Sequence, residues 1–351
     1  MAIRIRGRAL PHGEEIDLHA DGDRWTDDPV PTAETVPTET VRGWLLPGLV
    51  DAHTHPGAAA PDEPLDEDLL REHLVQHLDT GVTAIRSPGL AGDPPPWFGT
   101  DPDLPRAFHA GPWIARHGQF FDSWGRHADL AELPALAAAQ ARRSGWAKIV
   151  ADWGLDDEPV PADVMTAVVT AVHAAGGRVA VHTQHAAGSA AAVAAGVDSI
   201  EHGMWLDPDL LDRMARQGTA LTPTLSGFER ALPGALAKPD GPRKDWFVGG
   251  VHALRELVGA ASEAGVRLLA GTDSIPHDRH AVLAEIRALA ARIGPHEALG
   301  AASWHARAFL GLPGLEPGAP ADAVVYAEDP RTDLDQLAHP VAVILRGRRV
   351  R

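Results

Sequence analysis

The sequence predicts an α/β protein built on a (β/α)8 TIM barrel, with a small β-sandwich domain formed from both termini. Three observations point there. Short apolar runs alternate with longer Ala- and Leu-rich segments, eight such runs can be counted, and neither end of the chain shares that alternation. Strands alternating with helices imply βα units and a parallel sheet, and eight units imply closure.

Residues 1–46 hold "AIRIRGRAL", "EEIDLHADGDRW" and "TETVRGWLL", alternating pieces separated by Gly, Asp and Pro. These are the N-terminal part of the sandwich, with residues 27–40 as a loop within it. The barrel is assigned to residues 47–311. Its strands are "GLVDAHTH" (48–55), "GVTAIRSPG" (81–89), "RAFHAG" (106–111), "WAKIVADWG" (146–154), "GRVAVHTQH" (177–185), "GVDSIEHG" (196–203), "GTALTPTLS" (218–226) and "GVRLLAGTDS" (265–274). Most open with Gly or directly follow one, where a preceding helix needs its C-cap. Helices are expected over 130–145, 161–177 and 207–218. Residues 312–351, with "ADAVVYAED" and "HPVAVILRGRRVR", return to short strands and complete the sandwich.

The charge balance excludes whole classes of partner. With 48 acids against 31 bases the net charge is −17, which repels nucleic acid and anionic membranes. A small-molecule substrate is expected, and a homo-oligomer is compatible with the composition. The chain has no cysteine, so a metal must take histidine, carboxylate or modified lysine. No secretory h-region and no run of about 18 apolar residues occurs, so the expected address is the cytoplasm.

Chemistry in such a barrel gathers at the carboxyl ends of the strands. The first strand ends in His53 and His55, which alternation would place on one face. Lys148 lies in the fourth run, His182 in the fifth, His202 in the sixth and Asp273 in the eighth. One histidine in an apolar run reads as a core residue. Four, with a lysine and an aspartate on one rim, read as a site for zinc, manganese, iron or cobalt.

The set "PGLVDAHTH", "AKIVAD", "AVHTQH", "DSIEHG", "AGTDS" and "LEPGAPADAVVY" resembles the amidohydrolase superfamily, nearest the imidazolonepropionase-like enzymes and metal-dependent prolidases. The likeness spans nearly the whole chain. It implies two divalent metal ions, zinc first among the candidates. His53 and His55 would hold the more buried ion and His182 and His202 the other. Asp273 would bind the first ion and shuttle protons. Lys148 would carry a carbamate that bridges both; a plain lysine paired with Asp152 would instead leave a single metal.

The implied reaction is hydrolysis of an amide, lactam, dipeptide-like or ester bond by metal-activated hydroxide, with the metal polarising the carbonyl. Hydrolytic deamination is the competitor on the same fold. Deaminase relatives place a glutamate three residues after the fifth-strand histidine, where this chain has His185. A metal-free structural relative is a third reading, opposed by the complete ligand set. Substrate contacts are expected from Arg86, His117, Trp124, Trp153, His185 and Trp205, together with Phe120 and Phe121 in the loop after strand three.

Overall fold

The computed structural model describes residues 2–29 and 37–351. Half of the loop expected over 27–40, residues 30–36, lies outside the described residues, and residues 38–40 already belong to a strand, Thr38–Pro47.

The two ends of the chain form one seven-stranded sheet rather than two stacked sheets. Its order is Arg348–Arg349, Ala342–Leu345, Ala323–Tyr326, Thr38–Pro47, Ala2–Ala9, Glu14–Asp21 and Arg24–Thr26. Thr38–Pro47 is the hinge of this arrangement, parallel to Ala2–Ala9 on one side and antiparallel to Ala323–Tyr326 on the other. The alternation read from the sequence is real: Ile3, Ile5, Leu18, Trp25, Val41, Leu45, Val325 and Ile344 share one apolar cluster.

The central part carries parallel strands in two assigned sheets, Leu49–Asp51, Val82–Ser87 and Arg106–His109 in one, and Ala220–Thr222, Ser199–His202, Arg178–Thr183, Trp146–Val150, Ile114–Arg116 and Arg126–Ala128 in the other. The third expected strand appears as Arg106–His109, paired with Val82–Ser87, while a separate strand after it, Ile114–Arg116, takes the pairing with Trp146–Val150. The eighth run is not a regular strand. Residues 265–272 are held on one side by a bridge from Leu221 to Leu268 and by the Leu269 amide on the Leu221 carbonyl. On the other side the Ala52 amide bonds the Ala270 carbonyl, and the Thr272 amide bonds that of His53. Gly271 permits this approach, because a Cβ there would stand 2.5 Å from the His53 Cβ and 2.5 Å from Thr222 Cγ2.

Helices follow the expected rhythm with one exception. Glu67–Asp79 starts on an Asp66 cap whose carboxylate accepts the Leu69 amide at 2.9 Å. Leu133–Ser144, Ala162–Ala174, Ala186–Ala195, Leu211–Gln217, Leu225–Leu236, Pro242–Glu263 and Ala281–Ala302 come later. Between Val82–Ser87 and Arg106–His109 no helix occurs among the described residues. Pro94, Pro95, Pro96, Pro102 and Pro105 fill that link, and proline inside a helix removes a donor and clashes with the preceding turn.

The strands' two-residue period sorts their side chains. Ala84, Trp146, Ala180, Ala220 and Leu269 form one buried apolar cluster. Two residues further along the same strands come Arg86, Lys148, His182, Thr222 and Gly271, so a polar layer sits directly on an apolar one. Their opposite faces pack Ile85, Ile149, Val181, Ile200 and Leu221 into the cluster shared with the helices. One fully buried aliphatic side chain contributes roughly 1.5–3 kcal/mol of transfer free energy, so the apolar layers carry the stability that a charged interior layer costs.

Candidate metal centre

His53 and His55 lie just past the end of Leu49–Asp51, in an irregular bend, so strand alternation is not what pairs them. Side-chain anchors do it instead. His53 Nδ1 is 2.6 Å from Glu201 Oε2, and His55 Nδ1 is 2.6 Å from the Gly89 carbonyl. Both partners accept, so each Nδ1 bears the proton and each Nε2 keeps its lone pair. Those two Nε2 atoms then face one another at 3.1 Å. His202 Nδ1 lies 2.8 Å from Thr224 Oγ1, a hydroxyl able to donate or accept.

Asp273 closes the group. Its Oδ1 is 3.0 Å from His55 Nε2 and 3.4 Å from His53 Nε2. His53, His202 and Asp273 each offer one ligand atom within 4.8 Å of the others. His182 and Lys148 line the same cavity, and His182 Nε2 and Lys148 Nζ are buried without a hydrogen-bond partner among the described residues. Lone pairs converging with no proton to share, beside an aspartate, fit a divalent cation.

The backbone is bent where the ligands sit. His202, Thr224 and Asp273 have φ of 69°, 49° and 46°, in the left-handed region that side-chain-bearing residues rarely enter. Each follows or ends a strand segment, and the turn swings the side chain into the cavity.

Electrostatics hold the imidazoles neutral and the carboxylates charged. Burial pushes the His202 imidazole down to about 3 and His182 well below its ordinary value. Burial likewise lowers Lys148 to about 8, partly opposed by the Glu201 charge, so a neutral amine is accessible near neutrality. Burial alone would raise Asp273 and Glu201. For Asp273 the adjoining His53 and His55 imidazoles outweigh it, and for Glu201 the Arg86 charge does, so both stay well below the usual carboxylate range.

Glu201 was not anticipated from sequence, and it organises the polar layer. Its carboxylate meets Arg86 at 2.9 Å and accepts the Ser199 hydroxyl at 2.5 Å. Arg86 also donates to the Ala52 carbonyl at 2.7 Å and to Thr222 Oγ1 at 3.0 Å. Arg86 is only 1% exposed and does not line the cavity, so it is a buried counter-ion rather than a substrate contact.

The other expected contacts divide. Trp124 and Trp153 line the cavity with Trp113, Phe120 and Phe121. Trp113 and Trp124 stack at 5.0 Å, which makes a flat apolar wall. His117 is exposed in its loop, with its ring 6.3 Å from that of His127, and lies away from the cavity. His185 stacks on Trp246 at 5.2 Å and its Nε2 bonds the Gly154 carbonyl at 2.8 Å, so it does not stand in for a deaminase acid. Trp205 turns outward to pack on Gly249 of Pro242–Glu263. Asp152 does not pair with Lys148: its Oδ1 accepts the Gln184 amide at 2.6 Å. Sequence reasoning missed the cavity residues Gln184, Phe228, Arg230 and Phe247, which sit in loops and helices without any local signal. The whole cavity measures about 260 Å³.

Comparison with known proteins gives a consistent picture. Residues 44–350 match the family model described as the amidohydrolase family. The chain is 39% identical over 366 residues to the uncharacterized protein Rv2915c of Mycobacterium tuberculosis (strain ATCC 25618 / H37Rv), covering 99% of this chain and 95% of that one. Among solved structures, a Xaa-Pro dipeptidase with bound methionine in the active site superposes with a TM-score of 0.83 at 23% identity, over 99% of both chains. The A. niger ochratoxinase superposes with a TM-score of 0.81 at 20% identity, over 99% of this chain and 95% of that one. At those identities the two structures speak to fold.

Proposed function

The chain belongs to the amidohydrolase family, and we propose that it is a metal-dependent hydrolase of an amide, lactam, dipeptide-like or ester bond. The observation that carries this is the pair of Nε2 atoms 3.1 Å apart on His53 and His55, each deprotonated because its Nδ1 is spent on an acceptor. Two lone pairs at that distance repel unless a cation sits between them.

The scaffold we propose is a closed (β/α)8 barrel, supported by the hydrogen bonds that tie residues 265–272 to both Leu221 and the segment 52–53. His53, His55 and Asp273 would hold one metal, His182 and His202 a second, and Lys148 as a carbamate would bridge them. Carbamate formation consumes the neutral amine and carbon dioxide and releases one proton, giving Lys148 an anionic oxygen pair in place of an unpartnered Nζ.

When bound, the metals supply a water acidified towards neutrality and a Lewis acid for the scissile carbonyl. The protein's own residues do the rest. Asp273, about one-third exposed toward the cavity, accepts the nucleophile's proton and returns it to the leaving group. Trp113, Trp124, Phe120 and Trp153 orient a flat or apolar substituent and keep water from that side. The aromatic wall favours a small molecule with an apolar group, acted on in the cytoplasm. Zinc is our first choice of metal, ahead of manganese, iron and cobalt.

Elemental analysis of the purified protein tests this directly. One to two equivalents of divalent metal per chain are expected, with turnover lost on chelation. His182→Asn should lose the second metal and nearly all turnover. A screen of amides, esters, lactams and dipeptides should find activity, whereas an active metal-free preparation would contradict the assignment.

A further inference from the structure

A second hollow of about 540 Å³ adjoins the catalytic cavity, and Trp153, Ala231 and Phe247 line both. Its remaining wall is unusual for this chain. Lys238, Arg243 and Lys244 stand along it beside Trp246, and no carboxylate of the described residues lines it. With 48 acids against 31 bases overall, a wall of three cations and no acid runs against the composition.

The cations differ in availability. Lys244 is tied down, its Nζ 2.9 Å from Asp240 and 3.0 Å from the Lys238 carbonyl. Those two bonds clamp the turn between Leu225–Leu236 and Pro242–Glu263 and hold the backbone that bears Lys238 and Arg243. Lys238 and Arg243 are themselves exposed and form no ion pair among the described residues. The aromatic floor is equally fixed, since Trp246 stacks on His185 at 5.2 Å and Trp153 lies 4.9 Å from Phe120. A rigid apolar floor ending in free cations is complementary to an apolar group that ends in an anion.

We propose that the substrate runs from the metal site across Trp153 and Phe247 into this hollow, and that its distal portion is an aryl or alkyl group ending in a carboxylate read by Arg243 and Lys238. This rests on the hydrolase reading above and narrows it to amides or esters with a remote acidic end. An arginine fork matches a carboxylate in two parallel bonds, whereas a neutral amide in the same place would gain far less.

The metal-loaded enzyme can be titrated calorimetrically with 5-phenylpentanoate and with 5-phenylpentanamide. The carboxylate should bind at least tenfold more tightly, and a Lys238→Gln/Arg243→Gln double variant should erase that preference while metal content stays unchanged. A preference that survives in the double variant would mean that the carboxylate sits on the metals, and would overturn the proposal, as would equal binding or no binding in the parent. A kinetic arm uses suberanilic acid and its terminal amide, with aniline release as the readout. The acid should show a KM at least tenfold lower, lost in the double variant. Absence of anilide turnover with the binding preference intact would fault the hydrolase reading and not the anion site. Stimulation of turnover of a neutral ester by 5-phenylpentanoate, in place of competition, would make the hollow an effector site and overturn its role as a substrate subsite.

Discussion

Glu201 Oε2 stands 2.6 Å from His53 Nδ1, while the same carboxylate is paired with Arg86 at 2.9 Å, and none of the three side chains is more than 1% exposed. A buried charge of each sign and one imidazole are thus locked in a line that ends at the centre. Glu201→Gln should weaken metal binding by roughly 10–100-fold, the usual effect of removing a partner behind a ligating histidine. It should also leave Arg86 buried without a counter-ion, at a cost of about 3–5 kcal/mol in chemical denaturation. Replacing both partners, Arg86→Leu with Glu201→Leu, should recover much of the stability and none of the metal affinity. If stability and metal affinity recovered together in that double variant, Glu201 would be only a structural ion-pair partner.

Lys148 is the most informative single position. Its Nζ has no hydrogen-bond partner among the described residues, and burial lowers its pKa to about 8. Lys148→Ala should lower bound metal from about two equivalents towards one and reduce turnover sharply. Added bicarbonate or a short carboxylic acid should restore part of both, because either supplies the lost oxygens. Unchanged metal content in Lys148→Ala, measured by elemental analysis, would remove the carbamate from the scheme and leave a mononuclear hydrolase.

Asp273→Asn separates chemistry from folding. The side chain is about one-third exposed at the cavity and its backbone, held by the Asp273 amide on the His53 carbonyl at 2.8 Å, is untouched by the change. Turnover should fall by orders of magnitude with a melting temperature close to that of the parent. A drop in stability matching the drop in rate would make Asp273 mainly a structural ligand.

What could be read ahead of the structure follows from where the information resides. His182 and Lys148 announce themselves because each is a polar residue at an inward position of an otherwise apolar run, and a two-residue period carries that pattern faithfully. Glu201 obeys the same period, in register with His182, but His202 beside it departs from it. Alternation would send the two to opposite faces, yet the φ of 69° at His202 turns both toward the centre. Arg86 is legible as an inward residue but not in depth, since only the neighbouring strands place it beneath the cavity. Trp205 and His117 follow strands in sequence, but loop side chains have no period to reveal their direction. The terminal sheet has the same character. Short alternating strands with one buried face are compatible with two stacked sheets or with one, and only the long-range pairing of Thr38–Pro47 with both ends decides it.

Three further histidines predict how acid acts on the fold. His277 lies with its ring 4.6 Å from that of His73 and 4.4 Å from that of His77, and neither of its ring nitrogens has a partner among the described residues. His77 Nε2 faces Asp51 at 3.4 Å, and His73 Nδ1 accepts the Gly57 amide at 3.1 Å. Burial, reinforced by the neighbouring imidazoles, lowers His73 to about 4 and His277 to about 2. An unfolded imidazole titrates near 6.5, so below that pH the unfolded chain binds protons that the folded stack refuses. Stability from these groups is therefore complete above about pH 6.5 and is lost progressively as pH falls from there, down to about 4 for His73 and about 2 for His277. His277→Phe keeps an aromatic ring in the stack and discards two unpartnered nitrogens, so it should be neutral or mildly stabilising at pH 7. It should also flatten the decline in the urea midpoint between pH 6.5 and 5, measured on metal-loaded protein so that metal release is common to both chains. Equal slopes for parent and variant would show that the stack does not set the acid limit.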